Sequence, residues 1–109
     1  MSPREHTSWS EQYRLVAKEY VALKAAADLL EECKSATLAK RMAALGDMPV
    51  SRAEMTVKAS DEWADYIAKM VAAREQAEMK RVQLKYLEMK FAEWNSHNAT
   101  VRAEMRLAS

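Results

Sequence analysis

Arg74, Arg81 and Lys85 recur at spacings that bring them to nearly one side of a helix, with Tyr86 beside them and Lys80 and Lys90 close by. Cations that neutralise phosphates next to a ring that can stack on a base are the parts of a single-strand nucleic-acid platform. The candidate nucleic-acid contacts are therefore Arg74, Lys80, Arg81, Lys85, Tyr86 and Lys90. Against that reading, charge runs along the chain in alternating blocks. Residues 5–32 carry six acids and three bases, 34–58 five bases and two acids, 61–78 five acids and two bases, and 79–90 four bases and one acid. Folded back on one another, the first acidic block and the last basic block would pair, and pairing within the fold competes directly with phosphate binding.

The other residues able to do chemistry are few. Glu93 and His97 are four apart, whereas helical di-iron sites use a three-residue step, and His6 adds no third or fourth ligand at zinc-site spacing. The single Cys33 cannot form an internal disulfide and is expected to serve as a small buried hydrophobe. No glycine-rich phosphate loop, nucleophile elbow, Cys-x-x-Cys or paired carboxylate motif occurs. The expectation is a non-enzyme without cofactor or metal. A net charge of +1 lacks the basic excess usual in nucleic-acid domains. No window approaches eighteen apolar residues and no leader pattern opens the chain, which predicts a cytoplasmic protein that does not enter membranes.

The elements that must hold these residues are helices. One Gly and two Pro in 109 residues leave little room for the turns of a sheet, and 50% hydrophobic with 30% charged residues is the composition of long packed helices. The stretch from Trp63 to Leu107 has neither Gly nor Pro, and a helix of that length would extend about 65 Å. Met1–Thr7 reads as a flexible arm. Ser8 or Ser10 then caps a first helix, whose apolar residues Trp9, Tyr13, Val16, Tyr20, Leu23, Ala27 and Leu30 follow steps of four and three. The register shifts at Lys34 and resumes at Leu38, Met42 and Leu45, which predicts a local unwinding within a helix that continues. Gly46, followed by Pro49, closes it. Ser51 and Glu54 have capping-box spacing, and Ser60 offers a second helix start.

The expected fold is thus all-α and a single domain over 1–109. It is an antiparallel hairpin of two long helices, about 9–45 and 60–107, with a turn at 46–50 and a stretch at 52–58 that either forms a short helix of its own or merges with the second helix. In the second helix the seam reads Trp63, Ile67, Met70, Arg74, Ala77, Arg81, Leu84, Leu87, Phe91, Trp94, Asn98, Val101 and Met105, and Met79, Val82, Tyr86 and Met89 widen the apolar face. Counting equal steps from the turn sets Trp9 opposite Asn95 and gathers Trp9, Tyr13, Phe91 and Trp94 into an aromatic cluster. Val101, Met105 and Leu107 lie beyond it, uncovered. These seven residues are the candidate protein interface. Exposed apolar surface of this kind marks an interaction site and predicts a homodimer, most simply a four-helix assembly.

Ala59-Ser60-Asp61-Glu62-Trp63, Tyr66, Arg74, Ala77, Tyr86, Trp94 and the run Ala99 to Arg106 resemble small helical proteins of phages and prophages encoded beside recombination or replication genes. The resemblance covers about Ser51 to Leu107. It implies an accessory role in DNA metabolism or host interference, with a host or phage protein as partner, and transfers no functional residue.

Overall fold

The computed structural model describes residues 8–108, so the expected arm at 1–7 lies outside the described residues. Those residues form four helices and no strand: α1 (Trp9–Glu32), α2 (Lys34–Ala43), α3 (Val50–Lys58) and α4 (Asp61–Ala108). The protein is all-α.

Local chemistry explains most of the ends. The Ser8 hydroxyl accepts the Glu11 amide at 3.2 Å, which satisfies one of the free donors at the start of α1. Ser60 does the same for α4, accepting the Trp63 amide at 3.2 Å while its own hydroxyl donates to the Val57 carbonyl at 2.6 Å. That one side chain closes α3 and opens α4, so the two helices remain distinct. The capping box at Ser51 does not form. Here α3 starts two residues earlier, at Val50, with Pro49 at the cap position (φ −54°) and the Pro49 carbonyl accepting the Ala53 amide at 2.9 Å. A proline has its φ preset and no amide to leave unsatisfied, which suits it to the mouth of a helix.

The first helix is not continuous from 9 to 45. It is interrupted at Cys33 and ends at Ala43, although Cys33 still donates to Leu29 and accepts from Thr37 at normal distances. The Tyr66 hydroxyl donates to the Leu30 carbonyl, the acceptor that Lys34 would use in a straight ladder. A side-chain donor drawn into the ladder is a recognised cause of helix breaks. Cys33 is exposed, contrary to the expected burial, because it falls off the seam that buries Ala27 and half-buries Leu30.

Gly46 has φ +80°, the left-handed conformation expected at the end of this segment. A Cβ there would meet nothing within 4 Å, so Gly46→Ala adds backbone strain and no clash. Its expected cost is about 1–2 kcal/mol, read as a lower urea midpoint with unchanged slope.

The chain divides into two compact units. The first takes its described residues from Met1–Tyr20 and Met79–Ser109, and the second is Val21–Glu78. In the second, α2 packs against α3, and Ala27, Ala53, Val57, Trp63, Met70 and Ala77 are buried. Trp63, Met70 and Ala77 recur every seven residues along α4, the period of a packed helix seam. In the first unit Val16 and Leu87 are the buried apolar residues.

Candidate interaction surface

Within the first unit the start of α1 meets α4 in opposite directions. Trp9 lies against Lys90, Tyr13 bonds Glu88, and Glu19 pairs with Lys80. The Lys90 ammonium sits 5.6 Å from the centroid of the Trp9 ring and 5.7 Å from that of Tyr86, between two π faces that attract a cation. Trp9 is therefore placed about one turn earlier on α4 than Asn95. The count set Leu45 opposite Ser60 and took equal steps along one unbroken first helix, whereas that helix is interrupted at Cys33.

Trp9, Tyr13 and Phe91, with Ser10, Leu87 and Glu88, line a half-open and mostly apolar cavity of about 260 Å³. Phe91 stacks on Trp94 at 6.2 Å between centroids. Four of the seven candidate interface residues are thus brought together. Val101 and Met105 continue the seam along α4, whereas Leu107 follows Met105 by two residues, about 200° around the helix, and so points away from it. Phe91 and Trp94 are nearly half exposed, Met105 is 67% exposed and Leu107 88%. Met79, Val82, Tyr86 and Met89, the residues that widen the apolar face, are each more than half exposed.

Glu88 had no assigned role in the sequence reading, though it directly follows the seam residue Leu87. It accepts the Tyr13 hydroxyl at 3.0 Å. That hydrogen bond, and then the carboxylate's charge, raise the Tyr13 phenol above its ordinary value. Because the folded value lies above the unfolded one near 10, this contribution to stability is present below about pH 10 and is lost as pH rises through the folded value. A difference absorbance titration of the protein against Tyr13→Phe is expected to show a phenolate step above the usual tyrosine range, and Glu88→Gln should lower that step. At the first turn of α1, the Arg14 guanidinium forks onto Glu11 at 2.7 and 3.0 Å and holds that carboxyl below its ordinary value.

The candidate nucleic-acid contacts are engaged. In the first unit Lys80 pairs with Glu19 at 2.5 Å, Lys85 approaches Glu88 at 3.8 Å, and Lys90 and Tyr86 share the cation–π contact. Arg81 also has a polar or electrostatic partner, and with Val82, Lys85, Tyr86 and Met89 it lines a shallow depression. Arg74, in the second unit, reaches Glu31 at 3.7 Å. The Glu19–Lys80 contact is the acid-to-base pairing that the charge blocks suggest.

Among the described residues no three His, Cys, Asp or Glu side chains gather as a metal site, and no helix is long and apolar enough to cross a membrane. What the arrangement presents chemically is an apolar, aromatic surface. The class of protein defined so far is an all-α chain that buries Trp63 and exposes Tyr13, Tyr86, Phe91 and Trp94. Comparison with protein-family models, curated proteins and solved structures finds no match.

Proposed function

We propose that this protein is a non-enzymatic helical interaction module. It folds as an antiparallel hairpin, works as a homodimer in the cytoplasm, and docks a phage or host protein through the aromatic end of its first unit, in an accessory role in DNA metabolism or host defence. The observation that carries this reading is the imbalance between buried and exposed apolar residues. No large side chain is fully buried among the described residues, while Phe91, Trp94, Met105 and the Met79 to Met89 stripe face solvent.

The phage association rests on the resemblance of residues 51–107. Nucleic acid is the weaker partner for this face, since a cation held by a carboxylate must give up that pair before it meets phosphate. Sedimentation velocity over a hundredfold concentration range tests the reading. A dimer that dissociates only at the dilute end is expected, and a compact monomer throughout would overturn it.

A further inference from the structure

The seam of α4 continues beyond Phe91 through Trp94, Asn98, Val101 and Met105, in steps of four and three. It is apolar at every position but one. Asn98 is half-buried on that face, whereas its seam neighbours on either side are exposed. The partner this stripe fits is constrained by the asparagine. Against an unrelated apolar helix, the Asn98 amide would lose water and gain no partner, a loss larger than most single contacts recover. Against a second copy aligned in parallel, Asn98 meets Asn98, and each amide can donate to the other. A single Asn at such a position is how two-stranded coiled coils specify register and a dimeric state.

We infer that residues Trp94 to Met105 of α4 form a parallel two-stranded contact with the same segment of a second copy, registered by an Asn98–Asn98 layer. This rests on the dimer proposed above and divides its surface. The seam past Phe91 belongs to the second copy, and the Trp9, Tyr13 and Phe91 cavity remains for another protein.

The opposite orientation has something in its favour, because it would set Glu104 beside His97 of the partner copy. It would also set each Asn98 against Val101. Exposed ion pairs are worth less than a buried amide left without a partner, so the polar layer decides the orientation.

The test uses the full chain with Cys33→Ser to remove its one native thiol. Adding Asn98→Cys should give rapid formation of a disulfide-linked dimer under mild oxidation, whereas Ala103→Cys, on the far side of the helix, should stay monomeric on denaturing gels. If a mixture of Asn98→Cys and Val101→Cys chains links across while Asn98→Cys alone does not, the pairing is antiparallel and the inference fails. Dimers in sedimentation without any link at position 98 overturn the inference and leave the dimer standing. Monomers in sedimentation overturn both. As a second readout, Asn98→Leu should tighten association at least tenfold and add species larger than dimers. An unchanged dimer would show that Asn98 is not in the contact.

Discussion

Trp63→Ala is expected to remove about 3–5 kcal/mol of stability, the usual cost of truncating a buried aromatic to a methyl group. Trp63 is 6% exposed at the start of α4, where its ring stacks on Tyr66 at 5.6 Å with the planes 12° apart. Its amide is held by Ser60. Three features therefore depend on one turn of helix: the cap that opens α4, the first member of the Trp63, Met70, Ala77 seam, and the position of Tyr66, whose hydroxyl reaches the Leu30 carbonyl. A chain of this size has only about 5–15 kcal/mol in hand. The melting temperature read by circular dichroism should fall by at least ~12 °C, since each kcal/mol is worth about 4–8 °C in a small domain. A fall of only a few degrees would mean that Trp63 is not an anchor of the second unit.

Ending the chain after Asn98 is expected to abolish self-association while leaving the fold. All eight buried residues, from Val16 to Leu87, lie outside the deleted segment, so it supplies nothing to the described core. What it removes is Val101 and Met105 from each copy. Burying an aliphatic side chain is worth about 1.5–3 kcal/mol, so losing two from each side should raise the dissociation constant at least a hundredfold, at roughly 1.4 kcal/mol per factor of ten. Analytical ultracentrifugation at matched concentrations reads the loss directly. Circular dichroism should show helix lost only in proportion to the residues removed. If the shortened chain still dimerises as tightly, the contact lies elsewhere, and the Met79, Val82, Tyr86 and Met89 stripe is the next place to cut.

The helix ends show how far residue type alone reaches. Ser8, Gly46 and Ser60 act where their chemistry says they should, because a hydroxyl beside free amides, or a residue without Cβ at a left-handed turn, needs no information from elsewhere in the chain. Ser51 misled for the same reason in reverse. Its capping potential was real, but Pro49 two residues earlier is an equally good opening, and no local rule ranks the two. The seam was legible too. Trp63, Met70 and Ala77 are buried where the seven-residue period puts them, and Val16 and Ala27 likewise on α1.

The candidate surface was legible as a set of residues and not as a geometry. Trp9, Tyr13 and Phe91 do line one cavity, yet the partner of Trp9 is Lys90, and Glu88 holds Tyr13 across 75 positions of sequence. Cys33 was misjudged because burial on a helix depends on which side the neighbouring helix approaches.

What the amino-acid order determined by itself is the helical class, most of the helix boundaries and the apolar stripes, since these follow from propensity, capping and periodicity over a few turns. Tertiary structure alone decided the interruption at Cys33, the register of α1 on α4 in the first unit, and which carboxylates Lys80 and Arg74 meet. Each of these is set by residues distant in sequence that come within a few ångströms, and short-range rules carry no information about such meetings.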